Sequence, residues 1–92
     1  MAKQTEIECG GVLDISEVAQ WWEQAQAALQ TGLPIRLKAE DLQRVDAAGL
    51  QAILCLCIAA QKHEIAIEWD NPSPVLYQAA TLTGLNQMLR LA

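Results

Sequence analysis

The chain has 92 residues, 18% of them charged and 52% hydrophobic, with a net charge of −5. This is the composition of one small globular domain, residues 1–92, rather than of a disordered segment. The acidic balance disfavours a nucleic-acid partner and an anionic membrane surface, because phosphates repel it.

The N-terminus, MAKQTEIECG, has no apolar targeting core, and the longest apolar run, Ala52 to Ala60, is far short of the roughly 20 residues that span a bilayer. A soluble cytoplasmic protein without membrane insertion is expected. Residues 5–15, TEIECGGVLDI, read as extended, with Ile7, Cys9, Val12 and Leu13 apolar and Gly10-Gly11 marking a turn or bulge. Ser16 is a candidate N-cap, with Glu17 in the first turn of a helix. Val18, Trp21, Trp22, Ala25, Ala28 and Leu29 then recur at helical spacing until Gly32 and Pro34 stop it. The adjacent tryptophans fit a broad core stripe; one left exposed marks a contact surface.

Pro34 to Ala39 alternates Ile35, Leu37 and Ala39 with Arg36 and Lys38, the pattern of a strand with one packed face. Residues 40–44 read as a polar connection. Asp46 opens a second helix that runs to Gln61 or Lys62 and is apolar nearly all round, so it must be buried on several sides. Residues 64–69, EIAIEW, alternate as a further strand. After a loop, Ser73-Pro74 supplies an N-cap and a first helical proline, and Gly84 ends that helix. Leu85, Met88, Leu89 and Leu91 form a last amphipathic turn or two. The alternation of strands and helices predicts an α/β fold with helices on a mainly parallel sheet.

Little of this supports catalysis. His63 is the single histidine and stands at the far end of the second helix from Asp46, so no base accompanies a nucleophile. Cys55 and Cys57 point about 200° apart on a helix, and with Cys9 and His63 they do not close a zinc site. The carboxylate pairs Glu6/Glu8 and Glu40/Asp41 lie in polar stretches, and Gly10-Gly11 lacks the lysine of a phosphate loop. No enzyme activity, metal or cofactor is expected.

The stretch VDAAGLQAIL resembles the central motif of STAS domains, the family named for sulphate transporters and anti-sigma-factor antagonists: Val45, Asp46, Ala48, Gly49 and Leu50 match it. GVLDISEVAQWW and ATLTGLNQML are similar to the family's flanking elements, so the likeness runs from Gly11 almost to the end. It implies a small, mainly parallel (mixed) sheet of about four strands with helices packed on it. It also implies a non-catalytic protein-binding regulatory module, its partner an anti-sigma factor or kinase-like regulator. The implied partner-binding residues are Asp14, Asp46, Ala47, Ala48, Gly49, Leu50 and Gln51. Alternatives within the resemblance are a cytoplasmic subunit clamped on the ATPase of a lipid-transport ABC complex, and a small-anion or nucleotide-binding module. Homodimerisation stays open.

Two departures stand out. Ala47 occupies the position at which many soluble members carry a phosphorylatable serine or threonine, and only QTEIEC precedes the first motif, so the resemblance implies that a trimmed early strand or hairpin is to be expected. The physics is independent of the likeness. Asp46 can cap the helix, and Ala47 and Ala48 fall where amide N–H groups are free and the dipole is positive. A phosphoryl group there would add nearly two negative charges to a contact surface; a methyl group cannot accept one.

Overall fold

The computed structural model describes residues 3–91. In chain order these form β1 (Thr5–Glu8), β2 (Val12–Leu13), α1 (Val18–Thr31), β3 (Ile35–Lys38), β4 (Arg44–Val45), α2 (Ala47–Lys62), β5 (Ile67–Asp70) and α3 (Pro74–Thr83). The main sheet has the order β1-β3-β5 and the small one pairs β2 with β4; every pairing among the described residues is parallel. The expected parallel α/β fold is present, as five short strands in two sheets.

The extended run over residues 5–15 is divided. Gly10 adopts φ +70°, a left-handed turn open to glycine, and the chain leaves the main sheet there. The carbonyl of Gly11 then accepts N–H bonds from Gln43 (2.8 Å) and Arg44 (3.2 Å), which lays β2 beside β4. The segment expected as a polar connection therefore holds a strand, and it also buries Leu42. Two residues of strand leave no alternation to read.

In the main sheet, Ile7, Ile35 and Leu37 are buried on one face. On the other face, register sets Arg36 between Glu6 and Glu68, and Lys38 between Glu8 and Asp70. Arg36 reaches Glu68 at 3.3 Å and Asp70 at 3.4 Å, and Lys38 reaches Glu8 at 3.7 Å. A basic central strand between two acidic ones gives favourable pairs on both sides. At the outer edge of β1, the Gln24 side chain of α1 accepts the Glu8 N–H (3.3 Å) and donates to the Glu8 carbonyl (3.4 Å), standing in for a missing neighbour strand.

Helix α1 begins at Val18, and Ser16 is not its cap. Asp14 turns the chain instead: its carbonyl accepts the Glu17 and Val18 N–H groups at 3.0 Å each. The helix buries Trp21, Ala25 and Ala28, with Trp22 half-buried, and ends at Gly32 in the left-handed conformation. Trp21 Nε1 is buried with no oxygen or nitrogen partner among the described residues, and the Cys9 thiol is the polar group beside it. Helix α2 is buried round most of its circumference, through Leu50, Ile53, Leu56 and Cys57 among others. Burial pushes the thiols of Cys9 and Cys57 up to about 11, while Cys55 is exposed.

Helix α3 starts as its residues demand: Ser73 Oγ accepts the Leu76 N–H at 3.3 Å, Pro74 follows, and Gly84 at φ +72° closes it. The last segment is the expected turn or two, with Asn86 to Arg90 in turns. Leu89 and Leu91 are buried, but Met88 is exposed. The Leu89 carbonyl accepts the Trp69 indole N–H at 2.7 Å, which ties this segment to β5.

Gly49, in the first turn of α2, lies against the Leu13 carbonyl and the Val45 side chain, and a Cβ there collides with both. The obstacle is backbone, which cannot swing away. Gly49→Ala is expected to destabilise the fold by about 1–3 kcal/mol or more, measured as a lower urea midpoint with an unchanged denaturant slope.

Candidate functional site

The start of α2 is held by one carboxylate. Asp46, in extended conformation, accepts the Gly49 N–H on Oδ1 at 2.9 Å, and the Leu50 N–H bonds its carbonyl at 3.0 Å. The side-chain bond satisfies one of the donors that a helix start leaves without intrahelical partners, and the carbonyl bond is the first of the helix itself. The second carboxylate oxygen, Oδ2, accepts the Ile15 N–H at 3.1 Å, from the loop between β2 and α1. Asp46 thereby joins two segments 31 positions apart.

Asp14 organises the neighbouring loop. Its Oδ1 accepts both the Ser16 hydroxyl (2.6 Å) and the Ser16 N–H (3.0 Å). The Ser16 hydroxyl holds the Asp14 carboxyl below its ordinary range, with the Ser16 amide and the Arg44 charge adding to the effect. The serine read as a helix cap is thus a donor to the residue that turns the chain.

Of the residues singled out in the sequence, Asp46, Ala47 and Gln51 are exposed, and Asp14 and Ala48 are half-buried. Gly49 and Leu50 are buried. The backbone that approaches Gly49 is this chain's own Leu13, so both residues underlie the surface rather than form it. Two features escaped the sequence reading. Ile15 is 74% exposed beside the α2 terminus. It is an apolar residue outside the α1 stripe and next to the Asp14 turn, and that was the available signal. The other is an apolar groove of about 320 Å³ between α1 and α2, lined by Val18, Trp22, Ala48, Gln51, Ala52 and Cys55. A more polar cleft of about 550 Å³ lies on the other side of Asp46, with Asp14, Ile15, Arg44 and Val75 in its walls.

Among the described residues no three metal-ligating side chains cluster, and His63 caps the opposite end of α2. No described helix is long and apolar enough to cross a membrane. What the α2 terminus offers is a rigid, uncharged step at Ala47 and Ala48, with Ile15 beside it and carboxylates at its margin.

Residues 2–90 match the family model described as "Mlab, STAS domain". No curated protein matches the chain.

Removing the Asp46 side chain leaves the Gly49 and Ile15 amides without acceptors at once. Asp46→Ala is expected to cost about 1–2 kcal/mol of stability. Hydrogen exchange should accelerate first at Ile15 and Gly49, read residue by residue by NMR.

Proposed function

Because the chain belongs to the STAS domain family, we propose that it is a regulatory module resembling anti-sigma-factor antagonists that docks on a protein partner through the N-terminal end of α2. STAS domains are generally non-catalytic and commonly bind protein partners. The docking surface is formed by Asp14, Asp46, Ala47, Ala48 and Gln51, with Gly49 and Leu50 holding it from below. The partner is an anti-sigma factor or kinase-like regulator.

The observation that carries this reading is the exposure of Ala47 at the first position of a helix whose cap is internally tied. Pre-set backbone lowers the ordering cost of association. A partner that packs on a methyl group here meets no charge, and none can be added by phosphorylation, since Ala47 has no hydroxyl. The module is therefore permanently in its binding form at this position.

The uncharged α1–α2 groove beside the site favours a second reading, the cytoplasmic subunit of a lipid-transport ABC complex, since lasting interfaces are the more hydrophobic ones. In that case the same helix end rests on the ATPase. Small-anion binding draws no support from the site: Asp46 already fills the helix terminus with negative charge.

The test is capture of binding partners by wild-type chain and by Ala47→Asp, side by side. An aspartate in the first turn suits the helix dipole, so the fold is expected to persist, checked by circular dichroism. Recovery of the partner should fall about tenfold or more, because an unpaired charge in a packed contact costs over ~1.4 kcal/mol. Equal recovery by the two proteins refutes the docking site.

A further inference from the structure

Helix α2 leaves one stripe uncovered: Ala47, Gln51, Cys55 and Ile58 are exposed, at the spacing of a single helical ridge. From Ala47 to Gln61 the helix carries no charged side chain. Asp14 and Asp46 stand at its start, and Lys62 closes its last turn, followed by the capping His63 and the exposed Glu64. Such a helix is suited to its own reverse, with the acidic end of one copy over Lys62 of the other and the two dipoles opposed.

Shape agrees with charge. The midpoint of α2 falls between Leu54 and Cys55, and Gln51 and Ile58 lie equally far from it on either side. When a second α2 is laid antiparallel about that midpoint, Ala47 faces Lys62 and Gln51 faces Ile58. Ile58 is 44% exposed, a protruding apolar side chain. Gln51 is part of the lining of the apolar groove shared with Val18, Trp22, Ala48 and Ala52. Each copy therefore holds a knob and a hole, placed so that one two-fold operation fills both, as an isologous contact requires.

We propose that the chain forms a two-fold homodimer in which antiparallel α2 helices pack with Ile58 of each copy seated in the α1–α2 groove of the other. Cys55 lies beside the axis. One helix ridge makes a small interface, so the dimer belongs to the weak, exchanging class. The proposal is tested separately from the docking site: Ile58 and Cys55 lie outside it, while the two surfaces share Ala47, Ala48 and Gln51. A partner seated over those residues displaces the second copy.

The experiment combines sedimentation equilibrium of the full chain with crosslinking by a short bismaleimide. Cys9 and Cys57 are buried, so Cys55 is the thiol that reacts in the folded protein. A concentration-dependent dimer is expected, crosslinked through Cys55. Ile58→Asp should raise its dissociation constant at least about thirtyfold, as for a central interface residue. Lys62→Glu, which sets acid over acid at both ends, should raise it about fivefold. Both positions are exposed, and thermal unfolding checks that the fold is kept. A chain that stays monomeric and uncrosslinked at the highest concentration reached overturns the proposal. So does a dimer indifferent to both substitutions, or assembly beyond two copies. Loss of partner capture by Ala47→Asp with no self-association leaves the docking site standing and removes the dimer.

Discussion

A single carboxylate holds the working end of this molecule. Asp46 spends one oxygen on the first turn of α2 and the other on the loop that carries Ile15, while its own amide reaches the Leu13 carbonyl at 3.4 Å. A charged acceptor binds amides more strongly than a neutral one, and here it sits at the positive end of a helix dipole. It reinforces the pairing of β2 with β4, which spans two residues of each strand and is held besides by the Gly11 carbonyl. The uncharged step at Ala47 has a fixed shape because the residue before it is bound in two directions.

The glycine three positions later serves the same joint by absence. Gly49 lets the Leu13 carbonyl rest on the first turn of α2, so the helix start and the strand end share one small volume. Below this joint the core is a single layer: α1 and α2 cover the apolar face of a three-stranded sheet whose other face is a lattice of acidic and basic side chains. Parallel sheets are ordinarily covered on both faces. Here the charged ladders take over the second face, and the hydrophobic contribution must come from one side. That explains why α2, lying over the sheet, has so little polar surface.

Much of this was legible because the signals were local. Ser73-Pro74, Gly32, Gly84 and Asp46 each act on backbone groups within a turn of themselves, so each boundary could be read without the fold. Ser16 misled because Asp14 and Ser16 are both capping types two positions apart, and the choice between them depends on how the chain arrives from β2. The strand β4 was hidden because Arg44 and Val45 are too few to alternate, and their pairing is supplied by Gly11, 33 positions earlier. At the site, the cap and the exposed Ala47 follow from the Asp-Ala-Ala-Gly order. The burial of Gly49 and Leu50, the exposure of Ile15 and the groove beside Trp22 depend on which segments come to lie side by side, and no local pattern contains that.

The Gln24 amide on the rim of β1 bears on what the molecule avoids becoming. An open strand edge is a template onto which other chains add by backbone pairing, one after another. At Glu8 both backbone groups are already engaged by a side chain from the same molecule, and Glu6 and Glu8 line the rest of the rim with negative charge. Growth of fibrils from this side is thereby discouraged in the native state, and recognition is left to helices, whose contacts close instead of propagating.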